Sequence, residues 1–165
     1  MAYENRVPNN RGYGQQGGYN HGYGQNGGGQ QRFQSAQSAE IKPLPIPEDY
    51  VDAAERVMRA LFANRSRITT TKMRGFLTLV NDIYNVEKLR TAEKELLPDS
   101  AAKLGMMRVR TAYEAGRDSA VKNFVEQAKL LQYIKGIGLD RKAFLNFAHY
   151  MEALVAYHRY YGGKD

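Results

Sequence analysis

The stretch TTTKMRGFLTLVNDIYN, residues 69–85, sets Met73, Phe76, Leu77, Val80, Ile83 and Tyr84 three and four residues apart. On a helix that spacing gathers them on one face. The threonines ahead of them offer hydroxyls to cap free backbone N–H groups. The spacing therefore predicts a helix that starts within Thr69–Thr71 and buries this stripe. No segment of the chain sustains strand alternation, so the remaining apolar residues are read with the same period.

Working outward, a first helix is expected from about Pro47 to Ala63. Proline suits the first turn, Glu48 and Asp49 favour its positive end, and Val51, Ala54, Met58, Leu61 and Phe62 form its stripe. A third helix is expected from Pro98-Asp99-Ser100 to about Ala115, with Ala102, Met106, Val109 and Tyr113 inward and Gly116 as a left-handed cap. A fourth, capped by Asp118 or Ser119, buries Val121, Phe124, Val125, Ala128 and Leu131 and stops at KGIG, residues 135–138. A fifth starts at Asp140 and buries Phe144, Phe147, Ala148, Met151, Leu154 and Val155. The fold class expected is all-α: a compact bundle of about five helices with short connections. Tyr150, Tyr157, Tyr160 and Tyr161 give the last helix more aromatic surface than a core of this size needs.

The chain changes character near Pro47. Residues 12–29, GYGQQGGYNHGYGQNGGG, hold nine glycines and three tyrosines but no Leu, Ile, Val, Met or Phe. Such a segment cannot bury enough apolar surface to offset its ordering entropy, so a disordered tail is expected. KPLPIPE, residues 42–48, has a proline at every second position and should run stiff and extended into the first helix. The domain division expected is residues 1–47 for tail and lead-in and 48–165 for the bundle.

The chain carries 24 Lys+Arg against 17 Asp+Glu, and its sequence pI is near 9.6. Residues 1–47 contribute four basic and two acidic residues, so most of the excess lies on the body. That balance favours partners that carry phosphate. There is no cysteine, which excludes disulfides, thiolate metal sites and cysteine nucleophiles. No apolar run is long enough to span a membrane, and a cytoplasmic location with no membrane partner is expected.

Catalytic constellations are missing. No G-x-S-x-G, P-loop or H-E-x-x-H occurs. His149 and His158 are nine residues apart, about 180° around one helix, and cannot share a metal. His158 falls on the apolar stripe and reads as a packed core residue. His149 and Glu152 share a face but lack a matching motif on a second helix. The expectation is a protein that is not an enzyme, with no cofactor and no metal.

The basic residues form three groups. Lys103, Arg110 and Arg117 are seven apart, on one side of the third helix, with Glu114 placed to pair with an arginine. Arg108 points about 200° away from Arg110. Arg65, Arg67, Lys72 and Arg74 surround the Thr69–Thr71 helix start, where free N–H groups and cations suit phosphate. Lys122 and Lys129 share the polar face of the fourth helix with Glu126 between them. For RVRTAYEAGR, residues 108–117, two readings stay open: a salt-bridged solvent face, or a surface for an elongated polyanion.

Three stretches in order, TTTKMRGFLTLVNDIYN (69–85), MRVRTAYEAGRDSAVKNF (107–124) and MEALVAYHRYYGGKD (151–165), resemble the small subunit of the type III-A CRISPR effector, the Csm-type interference complex. The resemblance covers about residues 48–165; the Gly/Gln/Tyr tail lies outside it. It implies a noncatalytic bundle whose copies stack head to tail as a minor filament in antiviral defence. Implied partners are guide RNA, target RNA, the RNA-recognition-motif-like backbone subunit and the large polymerase/nuclease subunit. Carried over residue by residue, the RNA-facing positions are Lys72, Arg74, Arg108, Arg110 and Arg117; geometry adds Arg67, Lys103 and Lys122. The alternatives are a free-standing basic helical nucleic-acid-binding protein and a purely structural protein–protein module.

Overall fold

The computed structural model describes residues 40–65 and 67–164. Among them are six helices: α1 (Tyr50–Ala63), α2 (Thr70–Glu87), α3 (Pro98–Arg117), α4 (Ser119–Gln127), α5 (Leu130–Ile137) and α6 (Arg141–Tyr160). The expected helical bundle is present. The expected tail disorder falls on residues outside those described.

Helix α6 is the central element, flanked by α1 and α2, while α3 packs on α2, α4 and α5. It can hold that place because it is apolar on more than one side: Phe144, Phe147, Ala148, Tyr150, Met151, Leu154 and His158 are all buried. Met58 and Leu61 of α1, Met73 and Ile83 of α2 and Phe124 of α4 complete the core. Phe76 and Phe124 bring α2 and α4 together with ring centroids 5.9 Å apart. Val51, expected in the stripe of α1, is exposed.

The helix starts follow their chemistry. Thr69 is extended and its hydroxyl accepts the Lys72 N–H at 3.3 Å. Pro98 opens α3. Asp118 caps α4 by accepting the Ala120 and Val121 N–H groups at 2.9 and 3.1 Å. Asp140 accepts the Ala143 N–H at 2.9 Å at the start of α6. Asp118 also corrects the expected cap at Gly116. Helix α3 runs through Gly116 to Arg117 and stops where Asp118 turns extended, at φ −140° and ψ 117°. A carboxylate that caps the next helix ends the previous one, so no left-handed glycine is needed.

The expected fourth helix is two helices. The break falls at Ala128-Lys129, with Lys129 left-handed at φ 52°. Neither glycine nor proline marks it. The buried Tyr150 hydroxyl donates to the Ala128 carbonyl at 3.2 Å, and the turn swings Leu130, Tyr133, Ile134 and Ile137 onto the core as one face of α5. The signal therefore lies on α6, remote in sequence.

Helix α3 is rotated relative to the sequence reading. Its buried seam is Ser100, Leu104, Met107 and Thr111. Met106, Val109 and Tyr113, expected inward, are 55%, 57% and 65% exposed, and Ala102 is exposed as well. The small polar residues can be buried because their hydrogen bonds are met. The Thr111 hydroxyl donates to the Met107 carbonyl at 2.8 Å, and Ser100 bonds Glu87. The seam alternates Leu104 and Met107 with the short Ser100 and Thr111, and the second apolar stripe of Met106, Val109 and Tyr113 is left outside.

Glu87, at the end of α2, is fully buried and ties the 88–97 connection to α6. Its carboxylate accepts from the Leu97 N–H at 3.0 Å and from Arg90 at 2.9 Å. Its backbone carbonyl takes two bonds from the buried Arg141 guanidinium, at 2.8 and 2.6 Å. Burial opposes ionisation of Glu87, but the bonds from Ser100, Leu97 and Arg90 outweigh it and hold the carboxyl below its ordinary range.

The proline-rich lead-in is extended as expected and lies on α5. The Leu44 N–H donates to the Gln132 carbonyl at 3.1 Å, and Lys135 Nζ donates to the Ile41 carbonyl at 2.8 Å. Gly136 permits this: a Cβ there would stand 1.9 Å from the Leu44 carbonyl oxygen. Gly136→Ala is expected to lift residues 41–46 off α5 at a cost of about 1–3 kcal/mol. Hydrogen exchange at the Leu44 amide should speed up while α6 stays protected; unchanged exchange at Leu44 would contradict this.

A candidate RNA-binding groove between α2 and α3

Between α2 and α3 runs a groove of about 500 Å³. Thr71, Lys72, Gly75, Phe76 and Leu79 line it from α2, and Arg110, Tyr113 and Glu114 from α3. A second hollow, of about 340 Å³, includes Leu79, Asp82, Lys103, Met106 and Arg110. Leu79 and Arg110 belong to both, so the two form one track along α3. Gly75 faces open space, where an added Cβ would meet nothing within 4 Å.

The charges in the groove are organised around Glu114. Lys72 of α2 bonds its carboxylate across the groove, and Arg117 approaches it at 3.5 Å along α3. The Lys72 bond, ahead of the opposing effect of burial, holds the Glu114 carboxyl below its ordinary range. The Arg117 guanidinium also lies 5.6 Å from the centre of the Tyr113 ring. Arg110 is exposed and keeps no ion-pair partner among the described residues. Lys72, Arg110 and Arg117 thus present three cations around an exposed aromatic ring.

The other expected positions are spread more widely. Lys103 sits on the same track but is bonded to Asp99 at 2.7 Å, which raises its pKa above the usual lysine range. Arg67 lies 5.4 Å from the centre of the Phe62 ring, at the entry to α2. Arg74 is exposed on the first turns of α2. Arg108 lies on another side of α3, in a hollow shared with Gly105, Lys135 and Gly138. Lys122 pairs with Glu126 on α4 at 3.9 Å and does not line the groove.

Sequence reasoning missed the outward placement of Tyr113. Arg117 four residues on is the signal that could have found it, because an i,i+4 arginine stacks on a solvent-facing ring. Leu79 and Gly75 carried no signal; only packing shows that they floor the groove.

Both histidines among the described residues, His149 and His158, have partners within the fold. His158 is buried against Phe62, and its Nε2 lies 2.7 Å from the Ile68 carbonyl. A carbonyl only accepts, so that nitrogen carries the proton. His149 lies 3.4 Å from the Tyr84 hydroxyl, while Glu152 is exposed. Among the described residues no cluster of His, Asp and Glu could hold a metal ion, and no helix is long and apolar enough to cross a membrane.

The Csm2 Type III-A family profile matches residues 46–164. The "CRISPR system Cms protein Csm2" of Streptococcus thermophilus is 40% identical over 121 residues, covering 72% of this chain and 95% of that protein. The protein of the same name from Mycobacterium tuberculosis (strain CDC 1551 / Oshkosh) is 41% identical over 122 residues, covering 73% and 97%. That of Enterococcus italicus is 35% identical over 101 residues, covering 59% and 71%. The matched region takes in the whole bundle, the groove included. The chain belongs to the Csm2 family of type III-A, the small subunits of the type III-A CRISPR complex.

Proposed function

We propose that this chain is a noncatalytic, cytoplasmic subunit that holds the guide–target RNA duplex by its phosphates along the α2–α3 groove. The observation that carries this reading is that Lys72 and Arg110 line one open track, with Arg117 at its edge against Glu114 and the Tyr113 ring. They come from two of the three stretches that resemble the family. Phosphate contacts position an RNA without reading it, and guide–target pairing supplies the sequence. The subunit therefore needs no base code.

The same helix offers a surface for the proposed head-to-tail stacking. Met106, at the second hollow of the track, and Val109 are large apolar residues left in solvent. Their burial against a neighbouring copy or the backbone subunit would stabilise a filament without disturbing the bundle core. Met106→Glu with Val109→Glu is expected to remove this subunit from the assembled complex while the isolated chain keeps its helical circular dichroism. Full incorporation of the double variant would contradict that role.

Affinity purification of the tagged chain from its native cell, under mild salt, tests the proposed function. The expected result is a large ribonucleoprotein that contains repeat-derived guide RNA. Recovery of the chain alone, or with unrelated RNA, favours a free-standing binder. Recovery with its partner subunits, but with RNA retention indifferent to the groove cations, favours a purely structural module.

A further inference from the structure

We propose that the end of the bundle formed by the C-termini of α1 and α6 is a stacking platform for an unpaired nucleobase of an RNA strand, with Tyr160 as its exposed ring. The inference rests on the reading of RNA as the partner but uses a surface distinct from the α2–α3 groove. Tyr160 is 78% exposed and stands edge-on to Tyr161, ring centroids 5.1 Å apart at 78°. Tyr161 lies 6.4 Å from Tyr157 at a shallow angle of 26° and 6.1 Å from Phe62. Its hydroxyl donates to Glu55 at 3.0 Å, and Arg59 reaches the same hydroxyl at 3.4 Å. Tyr160 therefore projects from a braced aromatic base, with its own face open to solvent.

The charge around the rings selects the ligand. Arg67 lies over Phe62, Arg59 lies beside Tyr161, and Arg159 is held at the α6 end by its bond to the Gly163 carbonyl at 3.2 Å. Glu55 is engaged by both Arg59 and Tyr161. An arginine-rich rim repels the quaternary or methylated cations that aromatic clusters otherwise bind. It suits a planar group that carries a phosphate, which is a nucleotide. Base–aromatic stacking tolerates any sequence, and only an unpaired base has a face free to stack. The platform also adjoins the groove: the Lys164 carbonyl accepts the Thr70 N–H at 3.2 Å, so the α6 end and the start of α2 meet. A strand held at the groove is thereby led towards Tyr160.

The test uses the full chain and a single-stranded RNA of about twelve nucleotides carrying 4-thiouridine. Ultraviolet crosslinks are mapped by peptide mass spectrometry, and affinity is measured across a salt series for wild type, Tyr160→Ala and Tyr160→Phe. The expected result is a crosslink at Tyr160 or Tyr161, about a tenfold loss of single-strand affinity in Tyr160→Ala, and retention in Tyr160→Phe. The salt slope should not change, because stacking releases no counterions. Duplex affinity should be unaffected. Crosslinks confined to the N-terminal tyrosines, or equal affinity of the alanine variant, would overturn the platform and leave the groove reading standing. A chain that binds neither single strand nor duplex would overturn both. Protection of Tyr160 by a protein subunit in the assembled complex would assign the surface to that subunit and overturn the platform.

Discussion

Glu87→Ala is expected to destabilise the bundle by about 3–5 kcal/mol, the cost of breaking a buried ion pair from one side. The variant leaves the Leu97 N–H without its acceptor and takes from the buried Arg141 guanidinium the carboxylate that lies 3.8 Å from its Nε, leaving it the Glu87 backbone carbonyl. The 88–97 connection then loses its tie, and the start of α3 follows. Glu87→Gln should cost less, because an amide oxygen still accepts from Leu97. Denaturant midpoints of the two variants check the order; values within about 1 kcal/mol of wild type for both would refute the role assigned to Glu87. The pH dependence has a definite sign. Glu87 is held below its ordinary carboxyl range in the folded chain. Its contribution is therefore full above the ordinary carboxylate pKa and is lost as pH falls through the folded-state value. The stability gap between wild type and Glu87→Gln should close on acidification below about pH 4.

Charge reversal of Arg110 and Arg117 together is expected to lower duplex RNA affinity by about a hundredfold or more at moderate salt. Each charge-assisted bond to phosphate contributes about 1.5–3 kcal/mol. Loss of two phosphate contacts should also make the salt dependence shallower by about two units in the logarithmic slope. Both side chains are solvent-facing, so stability should change little. Assembly of the complex should survive, because the apolar surface at Met106 and Val109 is untouched. Failed assembly, with any RNA defect only secondary, would instead mean that these arginines face acidic neighbouring subunits.

How much of this was readable in advance depended on where the deciding information lies. The stripe from Met73 to Tyr84 and the caps at Thr69, Asp118 and Asp140 are local, and they emerged from spacing and side-chain chemistry alone. The face of α3 did not. Its sequence holds two helical stripes, one of bulky apolar residues and one with a serine and a threonine. Only packing against α2, with Glu87 and Met107 accepting their hydroxyls, selects the second. The break at Lys129 was hidden because its cause is Tyr150 on α6. The basic residues of the groove were named from motif and period, whereas their gathering around Tyr113 required the rotation of α3 to be known. Lys122, chosen on the same periodic grounds, pairs with Glu126 on another helix.

The central claim is that the α2–α3 groove lies on the RNA backbone within the assembled complex. It is tested most directly by loading the complex with guide RNA and a photoreactive target RNA, crosslinking, and mapping the attached peptides of this subunit. Attachment within residues 69–85 and 103–117, abolished by reversal of Arg110 and Arg117, is the predicted result. Attachment confined to other subunits or to the far side of the bundle, with both stretches crosslinked to protein instead, would contradict it.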